Sequence, residues 1–77
     1  MSKVKDQERK ELLGELIKSV KKQIVTNETD IRYLEREKLK AKADMLPSIE
    51  NAVAKAKEMV SALEAKLGVL EDDLNGK

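Results

Sequence analysis

The chain has 77 residues, with 16 basic and 15 acidic side chains, no Cys or His, and one aromatic residue, Tyr33. This length supports at most one structural unit. The missing Cys and His exclude disulfides, thiol redox chemistry, the commonest zinc sites and haem ligation by those residues. The nearly balanced charge favours neither a strongly basic nucleic-acid binder nor an acidic mimic.

The first half of the chain carries a heptad repeat. With positions lettered a to g, Ile17, Ile24 and Ile31 occupy position a, and Leu13, Val20 and Leu34 occupy position d. A 3.5-residue period keeps one apolar stripe facing a partner helix along its whole length. The pattern therefore predicts a long first helix, over about residues 3–44.

A second heptad frame follows the only proline, Pro47, and predicts a helix over about 48–75. The frame shifts by one residue at the junction. Because proline lacks an amide donor and disfavours the α conformation of Leu46, we expect a turn at about 44–48. Asp44 or Ser48 could cap the second helix. The pair Asn75-Gly76 is typical of a helix end.

Two other organisations are compatible with the sequence. The polar run 26–30 contains Asn27 and Asp30, which resemble a helix start, so a break near 26–29 would give a compact three-helix bundle. A single kinked helix is the third possibility. The uninterrupted heptad frame and the absence of Gly and Pro from this run favour two helices.

Two helices alone cannot cover both apolar stripes, so we expect an antiparallel hairpin or coiled coil that self-associates into a helical bundle. The hairpin would place Ile17 near Leu74 and leave residues 1–16 as surplus, with 1–11 frayed or docked on a partner. The whole chain, 1–77, is one helical unit. The expected oligomer core consists of Leu13, Ile17, Val20, Ile24, Asn27, Ile31, Leu34, Ile49, Val53, Ala56, Val60, Leu63, Leu67, Leu70 and Leu74.

Two polar residues interrupt the stripe. Asn27 occupies position d, where a buried amide fixes register or oligomer state at some cost in stability, unless it faces solvent at a local break. Lys38 occupies position a near the hairpin end. Its aliphatic stem can cover apolar surface while the ammonium reaches water.

Two surfaces are candidates for binding other molecules. Leu12, Leu13 and Leu16 could dock on a protein partner, with Gly14 as a point of flexibility. Arg32, Arg36 and Lys40 are spaced four apart and form a basic ridge that could contact phosphates. Interleaved glutamates and the single aromatic ring make a solvated helix face the stronger interpretation of this ridge.

We expect no enzymatic activity, cofactor or metal. The serines have no histidine base, no glycine-rich phosphate loop is present, and carboxylate-bridged metal sites in bundles usually add histidines. No apolar run is long enough to span a bilayer, and the N-terminus lacks the apolar segment of a signal peptide. We expect a soluble protein of the cytoplasm, or of a host cytoplasm if it is viral.

The sequence thus predicts a non-catalytic, self-associating helical protein that acts as an interaction, scaffold or assembly module. Its partners would be itself, as a homodimer or larger homo-oligomer, and another protein; we do not expect a membrane or nucleic acid. A small nucleic-acid-associated regulator that uses the basic ridge is one alternative. A small phage-type inhibitor or chaperone that occludes a protein partner is another.

Overall fold

The computed structural model describes residues 3–76 as two long helices that pack against each other in a hairpin. Helix α1 spans Asp6–Lys40 and helix α2 spans Leu46–Leu74. The molecule measures 56 × 18 × 16 Å, which is the shape of two helices side by side. The predicted all-α hairpin is confirmed, and within 3–76 the chain forms no strand.

A narrow apolar seam between the helices forms the core. Its buried side chains are Ile17, Val20, Val53, Val60, Leu63 and Leu70. Val20 alone is almost completely enclosed, with 2% of its surface exposed. Four of the six form one cluster that spans both helices, and Leu13, Ile24, Leu67 and Leu74 pack against it. The buried part of the seam is apolar, because no polar or charged residue of the described chain is buried.

The connection at 41–45 sets which residues of the two helices lie at the same level. Residues equally distant from its centre face one another in an antiparallel pair, so Ile17 lies at the level of Leu70 and Ile24 at that of Leu63. A position a of α1 thus meets a position d of α2. In α2, position a is occupied by Val53, Val60, Leu67 and Leu74, and position d by Ile49, Ala56, Leu63 and Leu70.

The turn lies earlier than the sequence predicts. Helix α1 ends at Lys40 rather than at 44, and α2 begins at Leu46 rather than at 48. Leu46 is helical because Pro47 sits in the first turn, where a missing amide hydrogen costs nothing. The earlier turn also shifts the register, so Leu13 rather than Ile17 lies at the level of Leu74.

The helix ends are held mainly by backbone groups. The expected cap at Asp44 or Ser48 is wrong, because Met45 is the N-cap of α2 and makes no side-chain cap hydrogen bond. At the other end the amide of Gly76 donates to the carbonyl of Asp73, and Gly76 has a φ of 76°. That left-handed conformation agrees with the predicted role of Asn75-Gly76.

Helix α1 passes through the polar run 26–30 without a break, which excludes the three-helix alternative. Three side chains there bond back to carbonyls of their own helix: Thr26 to Lys22, Asn27 to Gln23 and Thr29 to Val25, at 2.8–2.9 Å. Because these bonds satisfy the polar groups within the helix, the run needs no turn to accommodate them. The segment 1–11 was predicted to be frayed or docked on a partner. Its residues 6–11 are helical, and its residues 1 and 2 lie outside the described residues.

Candidate interaction surface

The residues predicted to form an oligomer core all lie along the seam of the hairpin. Six of the fifteen are buried and nine are half-buried. The half-buried members are Leu13, Ile24, Asn27, Ile31, Leu34, Ile49, Ala56, Leu67 and Leu74. One partner helix therefore covers the stripe incompletely, which is expected because two cylinders in contact shield only the line between them.

Asn27 is a half-buried member of this stripe. Its Nδ2 atom donates to the carbonyl oxygen of Gln23 at 2.8 Å. An amide side chain offers two donor hydrogens and an acceptor oxygen, and this bond uses one donor. Lys38 is also half-buried, as its position a near the turn predicts.

The two broad sides of the hairpin differ in composition. In an antiparallel pair, positions g and c of both helices lie on one side, and positions e and b lie on the other. We call the first the Met59 side and the second the Glu28 side, after one residue of each. Over residues 12–40 and 45–74, the Glu28 side carries nine charged residues among sixteen, whereas the Met59 side carries six among eighteen.

The exposed large apolar side chains are concentrated on the Met59 side. Of the eight in the described chain, only Val25 and Leu39 belong to the Glu28 side. The other six are Leu12, Leu16, Tyr33, Met45, Met59 and Val69. Positions a and d alone do not distinguish the two sides, so the heptad stripe did not predict this one. The signal was present at the flanking positions g and c.

The three leucines predicted to bind a partner differ in their exposure. Leu13 packs against the core cluster, whereas Leu12 and Leu16 are 46% and 48% exposed. The three line one apolar hollow together with Val4 and Arg9. Gly14 lies inside α1, which continues through it on both sides.

The basic ridge lies on the outer surface of α1. Arg32, Arg36 and Lys40 are all exposed. Arg32 and Arg36 line a shallow groove with Thr29 and Tyr33, so the only aromatic ring of the chain shares this groove with two arginines. Such a groove can hold an anionic or a planar group.

The described residues offer neither a metal site nor a membrane-spanning helix. Among residues 3–76, no three acidic side chains are grouped closely enough to hold a metal ion. Neither described helix combines the length and the apolar character that crossing a bilayer requires.

Comparison of the chain with protein-family models, curated proteins and solved structures found no match.

Proposed function

We propose that this protein is a non-catalytic interaction module that self-associates into a helical bundle and acts in scaffolding or assembly. The observation that carries the proposal is the incomplete cover of the stripe: nine of its fifteen residues are half-buried in the single hairpin. Covering them removes more apolar surface from water, which stabilises the associated form. We propose the cytoplasm, or a host cytoplasm, as its location.

Molar mass and thermal melting test self-association together. Light scattering over a hundredfold dilution series should give at least about twice the monomer mass of 8.7 kDa at the higher concentrations. The melting temperature, followed by circular dichroism, should rise with concentration, because mass action couples folding to association. A monomer that melts cooperatively at a concentration-independent temperature would contradict the proposal.

Leu12 and Leu16 could contact a second copy or a different protein, and one variant separates these uses. The double variant Leu12→Ser/Leu16→Ser removes two exposed leucines and leaves the buried cluster intact. A lower molar mass would assign the leucines to self-association. If the variant keeps the molar mass of the wild type but no longer captures a protein that the wild type captures from native host cells, the leucines bind that partner.

The groove around Tyr33 supports a second candidate function, nucleic-acid association. Its two arginines could contact phosphates while the ring stacks on a base. A labelled mixed DNA and RNA pool should then bind at low salt, weaken by about 200 mM salt, and fail to bind the Arg32→Glu/Arg36→Glu variant. Absence of binding by the wild type at low salt would eliminate this candidate.

A further inference from the structure

We propose that the Met59 side is the surface on which a second copy of this chain docks, with the turns of the two hairpins at the same end. This inference rests on the proposed self-association and names the surface and orientation that carry it. The Glu28 side is unsuited to the role, because seven of its eight residues at position e are charged and all lie beside the stripe. Docking there would remove these seven charges from water, which opposes association.

The size of the Met59 side matches that of a stable interface. The two helices run side by side over residues 12–40 and 46–74, a length of about 43 Å at the rise of an α-helix. With a width of 18 Å, the side presents about 800 Å². Specific protein interfaces bury about that area on each partner.

The charges on the Met59 side fit a second copy of the same side. Its six charged residues are three acidic and three basic, so two copies meet without net repulsion: Asp30, Glu37, Lys40, Lys55, Lys66 and Asp73. A partner of strongly acidic or strongly basic character would gain nothing from such a surface. A second copy is therefore the occupant that we infer.

The same charges select the orientation. Asp30 lies about 15 Å from the turn end of α1, and Lys55 lies about 14 Å from the turn end of α2. With both turns at one end, α1 of each copy packs on α2 of the other, and these opposite charges meet twice. In the fully overlapping head-to-tail arrangement, Lys55 and Lys66 of one α2 would instead meet Lys66 and Lys55 of the other, which is unfavourable.

The apolar side chains fit the same-end arrangement as well. Leu16 lies about 36 Å from the turn end of α1, and Val69 lies about 35 Å from that of α2. Leu16 of one copy therefore meets Val69 of the other. Position d borders position g, so Asn27 lies at the edge of this side, and both Asn27 amides reach the same level, where their free hydrogen-bonding groups can pair.

Single-cysteine variants test the docking surface directly, because the chain has no cysteine of its own. Met59→Cys and Glu28→Cys place one thiol at nearly the same distance from the turn but on opposite sides. A short bismaleimide reagent should join two Met59→Cys chains and leave Glu28→Cys chains unjoined. Joining of Glu28→Cys without Met59→Cys would overturn the assignment of the surface.

A pair of matched valines gives a second test, by sedimentation. Val69 and Val25 are both 60% exposed, on the Met59 and Glu28 sides respectively. Val69→Glu should raise the Kd of self-association at least tenfold, whereas Val25→Glu should leave it unchanged. Equal effects of the two variants would overturn the inference, provided that circular dichroism shows equal helicity.

The orientation is tested by spin labels at Asp44→Cys, an exposed position in the turn. Labels at the same end should lie within about 30 Å, whereas head-to-tail packing would separate them by about 50 Å, which would overturn the same-end arrangement. A wild type that stays monomeric would overturn the proposed function and this inference together. A self-associating wild type whose Met59→Cys variant is not joined would overturn the inference alone.

Discussion

Val20 of α1 and Leu63 of α2 belong to one buried cluster, and Val20 is its most enclosed side chain. The cluster joins the two halves of the sequence and holds the hairpin closed. The hairpin's stability therefore depends on a few side chains, and variants at these positions should have large effects.

Val20→Ala should lower the free energy of unfolding by about 2 kcal/mol, because it removes two methyl groups from an enclosed site. Val25→Ala is the matched control on the same helix. Val25 is 60% exposed, so its replacement should change the free energy by less than about 0.5 kcal/mol. Urea unfolding at one fixed protein concentration measures both. Equal losses would contradict the position of Val20 in the core.

Asn27→Leu should raise the melting temperature and broaden the distribution of oligomers. The leucine completes the apolar stripe, while loss of the amide removes the group that we propose selects one register. Asn51→Leu, on an exposed part of α2, is the control and should change neither property. Light scattering and thermal melting provide the two readouts. Unchanged stability and stoichiometry would refute the register role.

Pro47→Ala should destabilise the protein by no more than about 1 kcal/mol. Pro47 sits in the first turn of α2, where it replaces no helical hydrogen bond and only restricts the unfolded chain. Ala54→Pro, inside the same helix, should cost about 3 kcal/mol or more. Thermal melting distinguishes these outcomes. A loss of similar size from both variants would show that Pro47 has a structural role beyond the first turn.

Gly14→Ala and Gly68→Ala should each stabilise the protein by about 1 kcal/mol. Both glycines lie inside helices, and an added Cβ atom would meet nothing within 4 Å at either position. Both also lie on the Glu28 side, so their substitution should leave the Kd of self-association unchanged. Urea unfolding and sedimentation give the two measurements. Weaker association would show that a second copy approaches these glycines closely.

The hairpin was predictable because the heptad spacing of Ile17, Ile24 and Ile31 is a property of the chain itself. The position of the connection between the helices was not predictable. Proline is common both in such connections and in the first turn of a helix, and Pro47 lies in the first turn of α2. Residues 41–43 carry no helix-breaking signal, and α1 ends before them because the chain must reverse direction for the two stripes to meet.

The candidate surface was only partly predictable. The stripe follows from positions a and d, but the asymmetry between the Met59 and Glu28 sides requires the antiparallel arrangement. That arrangement places Met59 of α2 and Leu16 of α1 on one side, although nothing in the local sequence of either helix relates them. On each helix alone, the exposed apolar residues at positions g and c form only a short row. The two rows become one surface only when the helices pair.

The register of the hairpin makes its length adjustable. Each layer joins one residue before the turn to one residue at equal distance beyond it, so a heptad inserted in both helices preserves every existing layer. Such an insertion would extend the rod by about 10 Å without changing either end. The length of the rod is therefore set by the number of heptads, and the turn and the opposite end of the hairpin can each be changed without altering the other.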